Sequence, residues 1–519
     1  MIAPRSEVGR PRWSHAGSFI AVALWSTTLV LAPAPRAVAT PPLSSNVITI
    51  KVMTFNIGGD EWGGWTHKPG SPYTAPYMTD VENAIRTSGA DVVGIQEPFG
   101  RMRELAAALG WYASPRLYIL SRFPIIEPPG SNGIWGYIEP SPGRVFAFVD
   151  SHLPSYPYGP TEIIKGKTRK QVLAGEAGRL HWVHRILRAI QPLLDRHIPM
   201  FFTGDFNSPS WRDWTKPVIA ARPWHPYPVR WPVSLLMESE GFRDSYRQIH
   251  PDAITVPGYT WPASYLGNKA KRIRRFDRID FIWNSGPIKT IRAHVEGEPG
   301  SPYTNIPFHP WPSDHRAMVD TFHVQTVGMP PFVSVSDGYV TRGSTLTVRY
   351  KRNESGDEVS IVPAGRPVGS AILTKSAPRR FGVVRFATTS LAPGSYQVVL
   401  VSPLGGDLGR VPFWVVPPGS KPSVTLSDST LKRSQPLRVH WKNGPGNKFD
   451  WIGVVPAGHG SPRTAPLYNW TYIGAQVDGS VKISKGDHGH WPHPPGRYQA
   501  WLCVDDGYYC NAYANFTVR

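Results

Sequence analysis

The stretch Ile198-Pro199-Met200-Phe201-Phe202-Thr203-Gly204-Asp205-Phe206-Asn207-Ser208-Pro209 runs from apolar residues into a glycine, a carboxylate and an amide. That is the pattern of a buried strand ending in a polar turn, where catalytic groups are commonly presented. Asp205 and Asn207 stand two residues apart. On extended backbone both therefore point to one face, and Phe206 between them points into the protein.

The chain holds 519 residues, more than one core organises, so several domains are expected. Its 56 Lys and Arg against 37 Asp and Glu give a formal charge of +19, a balance that attracts polyanions such as nucleic acid or anionic lipid headgroups. Two cysteines exclude a disulfide scaffold and a zinc site built mainly on Cys. Residues 1–39 read as a signal peptide: Arg5, Arg10 and Arg12 precede the apolar run from Ser18 to Ala32, and Ala37-Val38-Ala39 offers a cleavage site before Thr40. The apolar run is shorter than the roughly 18 to 20 residues that span a bilayer, and no later stretch is long enough. A secreted protein without a transmembrane segment is the expectation.

Strand and helix signals alternate through the next part, 40–325. Val47 to Phe55 is an apolar, β-branched run in which Ile48, Ile50 and Val52 alternate with Thr49 and Lys51, as in a half-buried strand that ends at Asn56. A loop with Trp62, Trp65, Tyr73 and Tyr77 leads to the capping-box pair Thr79 and Glu82 at the head of a helix. Val92-Val93-Gly94-Ile95 ends in Gln96-Glu97, and Phe146-Ala147-Phe148-Val149 ends in Asp150-Ser151-His152. From Lys170 to Gln191 the apolar positions recur at helical spacing, with Pro192 as the expected end. An aromatic segment with Trp211, Trp214, Trp224, Tyr227 and Trp231 follows Asn207. Arg278-Ile279-Asp280 opens a further strand, and Ser313-Asp314-His315 precedes the last one.

Taken in order, Asn56, Gln96-Glu97, His152, Gly204-Asp205-Phe206-Asn207, Arg278-Ile279-Asp280 and Ser313-Asp314-His315 resemble the signature series of the endonuclease/exonuclease/phosphatase superfamily, over roughly 46–325. The resemblance implies a DNase I-like α/β four-layer sandwich: two mixed sheets face to face, helices outside, and the site at one sheet edge. It also implies a metal-dependent phosphoester hydrolase. Asn56, Glu97 and Asp314 are the implied metal ligands, and hard oxygen donors suit Mg²⁺ or Mn²⁺. Asp205 would accept the proton of the attacking water, and Asn207 would orient that water or the phosphate. His152 and His315 would hydrogen-bond the phosphate oxygens. Asp280 would orient a histidine, with His315 favoured over His152.

The substrates open at this point are nucleic acid, a phospholipid or headgroup phosphodiester, and a phosphomonoester; a catalytically inactive binding protein that keeps the fold is the rival from another class. Basic charge favours a polyanion, above all the cluster Lys269, Lys271, Arg272, Arg274, Arg275 and Arg278. The loop aromatics favour a lipid headgroup.

Beyond Thr326, Ser, Thr, Val, Pro and Gly dominate and a repeat emerges. Val362-Pro363-Ala364-Gly365 returns as Val455-Pro456-Ala457-Gly458, and Pro393-Gly394-Ser395-Tyr396-Gln397 as Pro495-Gly496-Arg497-Tyr498-Gln499. Two all-β immunoglobulin-like sandwiches are expected, over 326–418 and 419–519, serving as spacers or binding a surface or polymer. In the second, Asp506-Gly507 is a hairpin turn signal that would set Cys503 across from Cys510 for a disulfide.

Overall fold

The computed structural model describes residues 46–58, 75–128, 130–222, 226–263, 276–484 and 488–519. Residues 1–39, read above as a signal peptide, the aromatics Trp62, Trp65, Tyr73 and Trp224, and the basic residues Lys269 to Arg275 lie outside them. Among the described residues no helix is long and apolar enough to cross a membrane.

The strand Val47–Asn56 lies inside a seven-stranded sheet, parallel to Val92–Gln96 on one side and antiparallel to Ala317–Gln325 on the other. Alternation holds only over its first half. From Val52 to Asn56 every residue is buried, because helices cover the face that the alternation would have left to solvent. In the second sheet Arg144–His152 runs parallel to Met200–Asp205, which pairs antiparallel with Asp280–Ser285. Ile50, Val52 and Val92 of the first sheet meet Phe146, Phe148, Phe201 and Ile282 of the second in one apolar core.

Helices close both outer faces. Val81, Ala84 and Ile85 of Ala75–Ser88 and Leu105 of Met102–Leu109 pack on Met53, Phe55, Val93 and Ile95. Val183, Leu187 and Ile190 of Ala177–Leu194 pack on Val149 and Phe202. The result is the expected four-layer sandwich. The parallel strands of both sheets thereby bring the ends carrying Asn56, Gln96, His152 and Asp205 to one edge.

Local details differ from the sequence expectation for physical reasons. The first helix begins at Ala75, ahead of Thr79; Pro76 is suited to a first helical turn, where its missing N–H would have no partner anyway. The helix expected over Lys170 to Gln191 is two, Arg169–Ala174 and Ala177–Leu194. At the break, Arg179 is buried, pairing with Glu176 at 2.8 Å and donating to the carbonyls of Ser155 and Pro157. The second helix runs past Pro192 because Leu193 belongs to the core beneath it.

The C-terminal half is all β. A three-stranded and a five-stranded sheet share one core through Val333, Leu346, Val359, Ile361, Val398 and Phe413. A three-stranded and a six-stranded sheet do the same through Val439, Trp441, Ile452, Val454, Ala500 and Phe516. Both sandwiches contact the four-layer part. Arg103 pairs with Asp337 at 2.7 Å and Arg349 with Glu139 at 2.9 Å. From the second sandwich, Phe449 enters the apolar cluster of Leu105 and Tyr118, and Lys448 Nζ donates to the carbonyl of Asp150 at 2.5 Å.

Candidate active site

Strand register builds the site. Asp205 stands opposite His152 on one side and opposite Asp280 on the other. Phe206 turns into the core, as the two-residue spacing demands, and the Asn207 backbone N–H donates to Asp205 Oδ1 at 2.8 Å. Asn207 itself points back, its amide donating to the carbonyl of Leu153 at 3.0 Å. Gly204 is required just before: at φ 151°, a Cβ there would sit 2.0 Å from the carbonyl oxygen of Ser151.

The two sheets are tied by Asn56. Its Nδ2 donates to Asp205 Oδ2 at 3.0 Å and to Glu97 Oε1 at 3.1 Å. Asp314 approaches from the loop before Ala317–Gln325, held by Trp261 Nε1 at 3.3 Å. It comes so close to Gly58 (φ 63°) that a Cβ there would lie 2.8 Å from its Oδ1. Glu97 at φ 56° and Asn207 at φ 47° hold left-handed backbone although neither is glycine. Such conformations cost free energy and persist where the surroundings over-determine them, as at functional sites.

The histidines face Asp205 from both sides. His152 Nε2 lies 3.6 Å from Asp205 Oδ2 and 3.8 Å from Glu97 Oε1. His315 Nε2 lies 3.8 Å from the same Asp205 oxygen, while its Nδ1 is 2.9 Å from Asp280 Oδ2. Asp280 thus stands against His315, not His152.

Opposing charges set the protonation states. Burial raises the Asp205 carboxyl and the neighbouring Asp280 raises it further, against the pull of His315 and His152. Burial likewise raises Glu97; His152 pulls it back and the like charge of Asp314 pushes it up again. Burial acts to lower His152, but the Asp506 carboxylate 3.5 Å from its Nδ1 and the charges of Asp205 and Glu97 overcome it and bring it up to about 9. His315 is raised well above its ordinary value against the same opposition from burial, chiefly by Asp280 and Asp314.

Two donor groups could in principle hold a cation. Asp205, Asp280 and His315 offer ligand atoms within 4.8 Å of one another. In that trio, however, an Asp280 oxygen is already taken by His315 Nδ1, the arrangement of a carboxylate fixing an imidazole. Glu97 and Asp314, two carboxylates that repel each other beside the Asn56 amide, are the better fit for a hard divalent ion.

Other expectations need correction. Arg278 is no part of a surface cation cluster: it is buried, bonded to Asp213 at 3.0 Å and to Asp244 at 2.6 Å. A residue adjoining a site on the chain can still face the other way, and here two buried carboxylates claim the guanidinium. Trp214 and Trp231 are not exposed lipid contacts either, since they pack edge-on at 5.2 Å inside a buried cluster. Asp506, which borders the site, carries a turn signal but no site signal in the sequence, because its place depends on how the second sandwich docks.

The Endonuclease/Exonuclease/phosphatase family model matches residues 53–315. An uncharacterized protein of Caenorhabditis elegans, F14F9.5, is 29% identical over 296 residues, spanning 52% of this chain and 90% of that protein. Among solved structures, an endonuclease/exonuclease/phosphatase from Beutenbergia cavernae is 16% identical, covering 70% of this chain and 99% of its own, with a TM-score of 0.33. A mannosyl-6-phosphatase from Bacteroides thetaiotaomicron is 15% identical, covering 54% and 99%, with a TM-score of 0.32. The family match spans all the strand ends that meet at this edge, and the chain belongs to the endonuclease/exonuclease/phosphatase family, whose members are phosphoester hydrolases.

Proposed function

We propose that the protein is an exported, divalent-metal-dependent phosphodiesterase. The observation that carries this reading is the convergence of Glu97, Asp314 and Asn56 beside Asp205, with an imidazole on each side. A phosphodiester is anionic and repels an attacking anion, so hydrolysis calls for a base for water and positive donors on the phosphate oxygens. Asp205, raised by burial, is suited to take the proton of water. His152 and His315, both raised, are suited to donate to the phosphate oxygens and to the departing alkoxide. Asp280 keeps the His315 ring in one orientation. Glu97, Asp314 and Asn56 would hold Mg²⁺ or Mn²⁺, which supplies charge neutralisation to the phosphoryl group when bound.

Export is supported by the basic, apolar and small-residue series ahead of Thr40. N-terminal sequencing of protein from the culture medium should begin at Thr40, and a retained leader would remove this part of the reading. Activity is tested by initial rates of the full mature chain on DNA, RNA, sphingomyelin, bis(p-nitrophenyl) phosphate and p-nitrophenyl phosphate with Mg²⁺ or Mn²⁺. Cleavage of a diester faster than of the monoester is expected. Preference for the monoester would make the protein a phosphatase, and inertness toward all five would favour a binding protein.

A further inference from the structure

The second β-sandwich reaches the active site through one turn. Its strands Gly496–Cys503 and Cys510–Val518 form a hairpin closed by the Cys503–Cys510 disulfide, and Val504-Asp505-Asp506-Gly507 makes the turn at its tip. The Gly507 N–H donates to the Val504 carbonyl at 2.8 Å, with Asp505 at φ 52° and Asp506 at φ 62°. Two consecutive aspartates in left-handed backbone are costly unless the surroundings hold them. Here they do. Asp506 N donates to the Phe449 carbonyl at 2.9 Å, Asp505 N to Asp450 Oδ1 at 3.0 Å and Trp451 Nε1 to the Gly507 carbonyl at 3.0 Å.

The two aspartates have different work. Asp505 docks the turn onto the four-layer domain, accepting from the Gly100 N–H at 2.7 Å and from the Tyr118 hydroxyl. Asp506 makes neither contact. One of its oxygens accepts from Tyr472 of its own sandwich, and the other lies 3.5 Å from His152 Nδ1. That nitrogen faces away from the site centre, since Nε2 is the one beside Asp205 and Glu97. The arrangement is a looser form of the one at His315, where Nε2 faces Asp205 and Nδ1 is hydrogen-bonded to Asp280 at 2.9 Å. Asp280 belongs to the family's fold, whereas Asp506 comes from a separate β-sandwich.

We propose that the second β-sandwich completes the active site, with Asp506 as the positioning residue that holds the His152 ring. The four-layer domain then lacks one of its two carboxylate–imidazole pairs until the sandwich is docked. The kinetic part rests on the phosphodiesterase reading, and the spectroscopic part below does not.

The test uses the full chain and its Asp506→Ala, Asp506→Asn and Asp506→Glu variants. With bis(p-nitrophenyl) phosphate and Mn²⁺, the Ala and Asn variants should lose about 10- to 100-fold in kcat per folded protein, with KM within about threefold; the Asn variant keeps an acceptor for the Tyr472 hydroxyl and should melt with the parent. Asp506→Glu should recover part of the loss. Turnover of Asp506→Ala within about twofold of the parent, or a loss that tracks loss of folded protein in both variants, would overturn the proposal. The second measurement is the ¹⁵N-histidine spectrum, with His152 assigned by the signal missing from His152→Gln. Asp506→Ala should shift the His152 nitrogens and leave those of His315 in place. An unchanged His152 signal would overturn the proposal even in a protein that cleaves no diester. An inactive parent whose His152 does shift would instead overturn the phosphodiesterase reading alone.

Discussion

The two β-sandwiches are built to one plan, with one strand more in the larger sheet of the second, and they part most sharply at one hairpin. In the first, Pro363 pairs with Tyr396; in the second, Pro456 pairs with Tyr498. Both tyrosine hydroxyls donate to the carbonyl four residues upstream, of Ala392 and Pro494, each at 2.8 Å. Both following strands carry an irregularity near the tip, between Leu400 and Val401 and between Leu502 and Cys503. There the likeness ends. The first hairpin closes on itself, Ser402 with Gly406, and leaves Leu404 98% exposed. The second is cross-linked and drives Asp505 to 1% exposure against the four-layer domain. Equivalent positions in a repeat thus serve solvent in one copy and the active site in the other.

The largest separation should lie between the site and either hairpin. Asp205→Asn and His315→Ala should lower kcat by about 10²- to 10⁴-fold with the melting temperature unchanged, because the lost groups act on water and phosphate. Parallel loss of activity and thermal stability would mean that these residues hold the fold instead.

Next comes the contrast between hairpin tips. Asp505→Ala leaves the buried Tyr118 hydroxyl and the part-buried Gly100 N–H without their acceptor, at a cost of about 2 to 4 kcal/mol. Asp407→Ala, at the edge of the first hairpin, removes a solvent-facing ion pair with Arg410 and should stay within about 0.5 kcal/mol. Denaturant melts of both variants measure the difference. Equal effects would erase the distinction drawn between the hairpins.

A cross-link exists in only one hairpin, so its removal sharpens the same contrast. Replacing both Cys503 and Cys510 by Ser should cost about 2 kcal/mol, the loop-closure expectation for so short a ring. Unaltered stability would mean that docking alone holds the turn.

A last contrast separates burial from function. Glu296 is a buried carboxylate with neither oxygen hydrogen-bonded among the described residues, and burial pushes it up to about 9 against the pull of Lys51. Its folded form therefore holds a proton that the unfolded chain releases above its ordinary value of 4.5. Stability is lost as pH rises through that window. Glu296→Gln should remove this dependence, so melting temperatures from about pH 5 to about pH 8 should fall less in the variant than in the parent. Identical slopes would contradict the charge argument. Unlike Asp506, Glu296 is paired with no imidazole among the described residues, and its substitution should leave kcat alone.

Much of this was legible in the sequence, for a definite reason. Asn56, Glu97, His152 and Asp205 sit at or just after the ends of apolar runs, and a polar group after a buried strand stands out against it. The spacing around Phe206 likewise placed that ring in the core, but it misjudged Asn207, whose left-handed backbone (φ 47°) lies past the strand end and turns its amide back to the Leu153 carbonyl. Arg278 misled because a charge count cannot tell a solvated cation from one caught between Asp213 and Asp244. Asp506 was hidden more deeply. Asp506-Gly507 has the composition of an ordinary hairpin turn, and the turn in fact centres on Asp505 and Asp506. Only the packing of Phe449, Lys448 and Asp505 against another domain gives it a neighbour in His152.

The central claim is that the oxygen ligands at this sheet edge hold a divalent ion needed for phosphodiester hydrolysis. The most direct measurement is turnover of bis(p-nitrophenyl) phosphate by the full chain with Mn²⁺, in excess chelator, and by Glu97→Ala with Mn²⁺. Turnover should be present in the first case and lost in the other two by about 10³-fold or more, since such an ion supplies several kcal/mol at the transition state. Undiminished turnover in chelator or in Glu97→Ala would contradict the account.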